Sequence, residues 1–168
     1  RFQPEDYNAT PQHLALATDA AGRLYVGNVE GVLRYDGEAW DLLVLPGKAI
    51  GRDLATGKDG QIYVASYDTF GWLIAGEDGQ VRYEELRTAA GLKGRARAVG
   101  MVWQVYATGQ GVYFRAENAL HFLSYDRRRI EHWPLQDNVR SFNVDGDTLY
   151  ARVDGVGFCR FVMGRFEP

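Results

Sequence analysis

Four short strand-like segments, each with a tyrosine in second place, constrain the fold of this chain more than any other feature. They read "LYVGN" from Leu24, "IYVAS" from Ile62, "VYFRA" from Val112 and "LYARV" from Leu149. Their tyrosines, at positions 25, 63, 113 and 150, lie 38, 50 and 37 residues apart. β-Branched and aromatic residues favour strands, and a repeat of roughly 40 to 50 residues is typical of propeller blades.

Each tyrosine segment has similar neighbours, which fill out a repeating unit of four strands. An apolar stretch and a tight turn precede it, and a short turn, a third apolar stretch and a fourth strand follow it. In the last unit the fourth strand has only begun, as "RFEP". Such units match the blades of a β-propeller. The sequence therefore predicts an all-β fold of four four-stranded antiparallel repeats, the last incomplete, within one domain over 1–168, with blades at about 12–47, 51–87, 101–136 and 138–168.

One segment interrupts the repeat between the second and third units. The stretch "YEELRTAAGLKGRARAV", from Tyr83 to Val99, is rich in helix-forming residues, and Gly91 and Gly94 are helix stop signals. We interpret residues 83–97 as a helical insertion, which accounts for the longer middle spacing.

The two ends of the sequence lie at the same phase of the repeat. The chain opens on "RFQP" and closes on "RFEP", and Phe2 and Phe166 are 164 residues apart, which equals four repeats of about 41. These matching ends favour part of a larger propeller. We expect the missing blades to come from further sequence or from a second copy of the chain in a homodimer.

Composition excludes some classes of partner and leaves others open. With 19 basic and 22 acidic residues, the formal net charge is −3, which gives no reason to expect nucleic acid as a partner. No apolar run approaches the length of a membrane-spanning helix, so we expect no direct membrane insertion of this segment. The single cysteine, Cys159, lies in an apolar stretch and is interpreted as a buried core residue.

The first unit has a characteristic order of turn and strand residues. Asp19 and Gly22 flank a turn, Leu24–Gly27 forms the tyrosine segment, and Gly31–Tyr35 and Trp40 follow. This order resembles the repeat of the two-component-regulator propellers, and "VWQVYATGQGVYFRA" is similar to the third blade in a bacterial subgroup of them. The second unit matches the same repeat at Asp59, Gly60, Ile62–Val64 and Gly71. The third and fourth units match only in the tyrosine segment and the next apolar strand.

The resemblance implies a function that the blades alone do not. In that family the propeller is the extracytoplasmic sensor half of a membrane protein. The output half is a histidine kinase, a GGDEF-type diguanylate cyclase or a DNA-binding response domain. For this chain the resemblance implies a periplasmic ligand-sensing module, with any kinase or cyclase domain lying outside these 168 residues.

Catalytic and metal-binding patterns are weak throughout the sequence. His13, His121 and His132 lack the spacing of a zinc site, and no serine lies in a G-x-S-x-G turn. We therefore predict no catalytic residues, no metal and no cofactor.

The nearest approach to a metal site is a calcium-loop-like pattern in the fourth unit. Thr148 stands where that loop requires glycine, and a strand core follows directly, so an Asp-Gly hairpin turn is the better interpretation. The residues of this pattern are Asn143, Asp145, Asp147 and Asp154.

The strongest ligand-binding candidates lie on the first strand of each unit, which lines the central channel of a propeller. Alignment on the tyrosines puts Leu14, Arg52, Gln104 and Arg140 in one column. Long polar side chains there offer hydrogen-bond donors to a carboxylate, a phosphate or sugar hydroxyls. The alternative is that they are strand ends reaching into solvent.

Further candidates lie in the turns after the tyrosine segments. Asn28, Tyr67 and Asp68 occupy such turns, although turn geometry alone favours Asn and Asp there. Tyr67 and Trp103 could stack on a sugar ring, whereas core packing is the more common role of such aromatic residues.

Three hypotheses of function follow. The first is a non-catalytic extracytoplasmic sensor that binds a small molecule, such as a sugar or an anion, or a protein. The second is a propeller enzyme, a lyase or hydrolase acting on a saccharide. The third is a platform for protein interaction.

Overall fold

Each tyrosine segment forms the second strand of a four-stranded antiparallel sheet. The computed structural model describes residues 2–76, 79–86 and 99–168. Within these residues the strands follow one another in chain order across each of four sheets. The predicted all-β propeller-like architecture is confirmed.

The strands have the following bounds. The first sheet contains β1 (His13–Thr18), β2 (Leu24–Asn28), β3 (Gly31–Tyr35) and β4 (Trp40–Leu43). The second contains β5 (Asp53–Thr56), β6 (Ile62–Ala65), β7 (Phe70–Ala75) and β8 (Val81–Glu85). The third contains β9 (Val102–Ala107), β10 (Gly111–Ala116), β11 (Ala119–Ser124) and β12 (Ile130–Pro134). The fourth contains β13 (Val139–Asp145), β14 (Thr148–Val153), β15 (Gly157–Val162) and β16 (Arg165–Glu167).

Two details of the expected outline change. The fourth sheet has its fourth strand, although β16 is only three residues long. The predicted helical insertion begins too early, because Tyr83 and Glu84 belong to β8 and pair with Leu73 and Trp72 of β7. Pairing along a sheet edge outweighs the helix propensity of these residues. Residues 87–97 of the expected insertion lie outside the described residues.

The first strands of successive sheets are neighbours, in the order β1, β5, β9 and β13. Apolar side chains fill the space between each pair of sheets. One buried cluster joins the first and second sheets, a second joins the second and third, and a third joins the third and fourth. The sheets therefore stack face to face in sequence order, with the first strands along one edge.

The repeated tyrosine points from each sheet towards the next. Tyr25 is buried in the cluster shared with the second sheet, and Tyr63 is fully buried against the third. Tyr113 lies in the cluster shared with the fourth sheet, where its ring contacts that of Phe161 edge to face at 5.9 Å. Aromatic rings bury a large apolar area at such contacts, so this residue anchors each interface.

The aspartate that precedes the tyrosine in the first two units fixes the intervening turn. Asp59 Oδ2 accepts a hydrogen bond from the Tyr63 hydroxyl at 2.8 Å, and Asp19 Oδ2 accepts one from Tyr25 at 3.2 Å. Asp19 also accepts backbone hydrogen bonds within its own turn. The repeat motif thus specifies a hydrogen bond that fixes the turn to the strand that follows it, called here the lock.

The glycine near the end of the first tyrosine segment has a steric role. A Cβ on Gly27 would lie 2.5 Å from the carbonyl oxygen of Gly51, in the connection that leads to β5. The Asn28 carbonyl accepts a hydrogen bond from the Gly51 amide at 2.8 Å, so the two backbones cross closely here. The equivalent position of the second sheet is Ala65. There the backbone accommodates a Cβ.

A short N-terminal segment covers the outer side of the first sheet. Helix α1 (Pro4–Tyr7) contacts β4, and Tyr7 is buried with Val26 and Leu33. The described residues contain no helix long and apolar enough to cross a membrane.

Candidate functional site

The predicted column crosses the edge along which the four first strands lie, called here the inner edge. One of its four residues differs from the expectation. Strand pairing matches Ala17, Ala55, Tyr106 and Asn143 to the repeated tyrosines of their sheets. Three residues before these positions lie Leu14, Arg52, Trp103 and Arg140, and Arg52 directly precedes β5.

Gln104 therefore does not belong to the column, and Trp103 takes its place. Gln104 lies only two residues before Tyr106, the strand partner of Tyr113, whereas Arg52 and Arg140 lie three residues before the strand partners of their tyrosines. A shift of one residue moves a side chain to the opposite face of a strand. Gln104 accordingly lies beside Tyr106, on the side of the third sheet that faces the fourth.

Arg52 and Trp103 contact each other across the second and third sheets. The guanidinium carbon of Arg52 lies 5.2 Å from the centre of the Trp103 ring, a cation–π distance. Arg52 Nε is buried and has no hydrogen-bond partner among the described residues. A β-bulge at Trp103 in β9 brings the two side chains together. The pair offers a cation and an aromatic face at one point.

Asp53, the residue after Arg52, was not predicted as part of the site. Its Oδ2 accepts a hydrogen bond from the backbone N–H of Val105 at 2.9 Å. Burial raises the pKa of the Asp53 carboxyl, against the opposing effects of the Val105 and Leu54 amides and of Arg52. No recognisable motif marks this residue in the sequence, because its partner is a backbone amide 52 positions away.

Arg140 is engaged by a carboxylate of its own sheet. Its Nε donates to Asp154 Oδ2 at 2.7 Å, and Arg152 approaches the other oxygen of Asp154 at 3.3 Å. Both arginine side chains are more than half exposed, and that of Asp154 is partly exposed. Since exposed ion pairs of this kind are weak, an anionic ligand could compete with Asp154 for Arg140.

Tyr67 and Asp68 lie together in a groove at the end of the second sheet. The groove has a volume of about 630 Å³ and is lined by Lys48, Thr69, Glu85 and Met101 as well as these two residues. Tyr67 is 61% exposed, an unusual environment for a large aromatic side chain in this protein. The groove brings an aromatic face, an ammonium group and carboxylates within one depression.

Asp68 holds the wall of this groove. Its backbone has a positive φ of 53°, its N–H donates to the Gly100 carbonyl at 2.7 Å, and its Oδ1 accepts from the Val99 amide at 2.9 Å. Lys48 also has a positive φ, of 55°. Non-glycine residues in this conformation are held by their surroundings, so the groove has a defined shape.

Asn28 has a structural role in place of the predicted ligand contact. It is fully buried, its Nδ2 donates to the Thr10 carbonyl at 2.8 Å, and its Oδ1 accepts from the Glu30 amide at 2.9 Å. A buried amide with these partners is not accessible to a ligand. Turn geometry accounts for this residue.

Sequence reasoning missed the groove residues supplied by other segments. Lys48 belongs to the connection between the first and second sheets, and Glu85 ends β8. Thr69 Oγ1 donates to Glu85 Oε1 at 3.2 Å and lies 2.9 Å from the Tyr83 hydroxyl. Only the "PGK" turn that contains Lys48 is visible as a signal in the sequence. The described residues contain no cluster of three His, Cys, Asp or Glu side chains suited to a metal ion.

Comparison with known proteins identifies the fold class through solved structures. No protein family's sequence profile matches the chain, and no curated protein matches it in sequence. Solved structures do match. Virginiamycin B lyase from Staphylococcus aureus superposes with a TM-score of 0.63 at 12% identity, over 94% of this chain and 56% of the lyase.

Two extracellular domains from B. thetaiotaomicron match as well. The extracellular domain of BT4673, assigned as a hybrid two component system, has a TM-score of 0.68 at 18% identity, over 93% of this chain and 22% of its own. The extracellular domain of BT3049, with the same assignment, has a TM-score of 0.64 at 14% identity, over 99% of this chain and 22% of its own. The chain therefore has a β-propeller fold. It spans about half of the lyase and less than a quarter of each of the two extracellular domains.

Proposed function

We propose that the chain is a ligand-sensing part of an extracytoplasmic propeller in a bacterial signal-transduction protein. The observation that carries this proposal is the fold match to extracellular domains of two component systems over nearly the whole chain. The repeat motif of the first unit supports the same assignment. In this proposal the chain lies in the periplasm and is not an enzyme, and a kinase or diguanylate cyclase domain belongs to the parent protein.

The ligand would bind where aromatic faces and hydrogen-bond donors lie together. Arg52 and Trp103 meet this requirement on the inner edge, and Tyr67 and Lys48 meet it in the groove. Arg140 adds a second guanidinium on an equivalent first strand. Guanidinium groups bind carboxylates and phosphates, and aromatic rings stack on sugars, so we propose a sugar or a small anion as the ligand.

Signalling requires that the ligand bind one arrangement of the sheets more tightly than another. The sheets contact each other through side chains, and Asp53 bridges the inner strands of the second and third. A ligand held by Arg52 and Trp103 would contact both of these sheets and bias their relative position. Such a ligand shifts the equilibrium only by its difference in affinity for the two arrangements.

A thermal-shift screen with sugars, amino acids and organic acids tests the proposal. We expect at least one compound to raise the unfolding midpoint, and the Arg52→Ala, Arg140→Ala double variant to lose that rise. Tyr67→Ala tests the groove separately. Lys58→Ala, a change in the turn between β5 and β6, serves as a control. A compound that binds the double variant and Tyr67→Ala as tightly as the parent would refute these sites.

The fold match to virginiamycin B lyase favours a second candidate, a propeller enzyme. This alternative predicts that the protein turns over a substrate, for example one in a panel of polysaccharides. Replacing a single acidic residue should then abolish the turnover. Substrate binding without turnover would support the sensor.

A further inference from the structure

The segment that leads from the third sheet to the fourth has the same layout as the one that leads from the first to the second. It reads "WPLQDNVR" from Trp133 to Arg140, and the earlier segment reads "LPGKAIGR" from Leu45 to Arg52. In both, the second, third, fourth and sixth residues line a depression. For the earlier segment this is the groove around Tyr67, and for the later one it is a separate pocket. The repeat thus places a second depression of ligand size at the equivalent point of the chain.

The later depression, called here the aromatic pocket, has a volume of about 350 Å³ and apolar walls. Three of its lining residues are aromatic and contact one another. The Trp133 ring meets that of Phe161 edge to face at 4.9 Å between ring centres, and Phe161 lies 4.9 Å from Phe166. Among the described residues that line the pocket, Arg165 alone is charged, and it is exposed. The aliphatic side chains of the lining are Leu135, Val139, Val153 and Val156.

Backbone hydrogen bonds fix the segment that borders the aromatic pocket. The Leu135 N–H donates to the Asn118 carbonyl, in the turn between β10 and β11, at 2.9 Å. The Asn138 carbonyl accepts from the Asp154 N–H, in the turn between β14 and β15, also at 2.9 Å. The segment is therefore tied to a turn of the third sheet and to a turn of the fourth. A pocket that is already formed before binding lowers the cost of ordering it around a ligand.

One buried polar atom of the aromatic pocket has no partner. Asn138 lines the pocket, and its Oδ1 is buried without a hydrogen bond from any residue that the structure describes. A buried acceptor in this state costs free energy, which a donor on a ligand would recover. The equivalent residue of the earlier segment is Ile50, so this acceptor is not required by the repeat. It distinguishes the aromatic pocket from the groove around Tyr67.

We propose that the aromatic pocket binds a small, uncharged aromatic molecule whose single hydrogen-bond donor bonds to Asn138 Oδ1. The ring of such a ligand packs against Trp133 and Phe161, since aromatic rings favour edge-to-face and offset contacts. A charged ligand is disfavoured, because the apolar walls offer no partner for a buried charge. The volume suits a ligand of one or two rings. This site shares no residue with the inner-edge pair or with the groove, so it does not depend on the ligand proposed for them.

Two ligands of the same shape test the role of Asn138. Indole carries an N–H donor, and benzofuran has an oxygen atom in its place. We expect indole to bind the chain with a Kd of roughly 1 mM or below, and benzofuran to bind roughly five to ten times more weakly. Asn138→Ala should abolish this difference, because the acceptor is gone. Ligand-observed NMR titrations measure all four affinities. Equal affinities of the parent for the two ligands, or binding of neither, would overturn the proposal.

A second pair of variants tests where indole binds. Val156 lines the aromatic pocket and is 57% exposed, so Val156→Trp should fill the pocket and weaken indole binding at least roughly tenfold. Its unfolding midpoint should stay within about 2 °C of the parent. Phe158→Trp is the matched control, because it adds the same side chain at an 80% exposed position that is not among the described lining residues.

Phe158→Trp and Tyr67→Ala should both bind indole as the parent does, because neither residue lines the aromatic pocket. Undiminished binding by Val156→Trp would overturn the proposal. A loss of binding in Tyr67→Ala would also overturn it, because indole would then occupy the groove.

Discussion

The carboxylate of Asp53 and the backbone amide of Val105, 2.9 Å apart, join the inner strands of the second and third sheets. These strands belong to separate sheets, so no backbone ladder connects them. The bridge fixes the spacing of the two strands that carry Arg52 and Trp103. It therefore positions Arg52 and Trp103 relative to each other.

Replacing Asp53 should destabilise the protein, and the loss should be larger when no hydrogen-bond acceptor remains for the Val105 amide. We expect Asp53→Ala to lower the free energy of unfolding by about 1–3 kcal/mol, because the Val105 amide loses its partner. Asp53→Asn keeps an acceptor oxygen and removes a buried charge, so its loss should be smaller. Urea unfolding at pH 7 measures both variants. Equal losses would contradict the assigned role of the acceptor.

His121 should make stability depend on pH. The imidazole is buried against Phe70, at 4.9 Å between ring centres, and neither nitrogen has a hydrogen-bond partner among the described residues. Burial lowers the pKa of His121 to about 4, and the neighbouring His132 acts in the same direction. The unfolded chain then binds more protons than the folded one between the ordinary histidine pKa and this value.

We therefore expect His121 to contribute full stability above pH 6.5 and to lose about 3 kcal/mol as the pH falls towards 4. His121→Phe should remove that part of the slope, while His132→Phe should retain most of it. Free energies of unfolding at pH 7, 5.5 and 4.5 make the comparison. A His121→Phe slope identical to that of the parent would exclude His121 as its cause.

Gly27→Ala tests the close crossing of two backbones. The added methyl would meet the Gly51 carbonyl oxygen at 2.5 Å, so one backbone must shift, at a cost of about 1–3 kcal/mol. Gly22→Ala is the matched control, because its methyl meets open space and only a φ of 80° opposes it, at about 1 kcal/mol. Chemical denaturation of both variants gives the difference. A smaller loss for Gly27→Ala would contradict the steric explanation.

Tyr63→Phe tests the lock between turn and strand. The hydroxyl donates to Asp59 at 2.8 Å from a fully buried ring, so its removal should cost about 1 kcal/mol. Tyr25→Phe should cost less, because its bond to Asp19 is longer, at 3.2 Å. Tyr67→Phe, on an exposed ring, should leave the unfolding midpoint unchanged. Similar effects for all three variants would contradict the proposed lock.

The fold could be predicted because its signals are local. The tyrosine, the preceding turn and the alternating strands all lie within about 20 residues, and the Asp19–Tyr25 and Asp59–Tyr63 bonds form within one hairpin. The candidate site could be predicted only in part. Trp103 replaced Gln104 in the column because strand pairing sets the register, and the sequence alone did not show that Tyr106 is the partner of Tyr113.

The groove around Tyr67 shows the same limit more clearly. Its lining comes from the turn after β6, the connection before β5, the end of β8 and Met101. These segments come together only when two sheets pack against each other. The spacing of their residues in the sequence therefore does not predict that they are close. The helix formers Glu84 and Glu85 misled the prediction because strand pairing with β7 outweighs their propensity.

The position of Cys159 makes its thiol a natural probe of local opening. This thiol, the only one in the chain, is buried on the face of the fourth sheet that packs against the third. An alkylating reagent can reach it when the third and fourth sheets separate or when the strands around it open. The rate of thiol modification under native conditions therefore measures how often this part of the fourth sheet opens, without any label introduced by mutation.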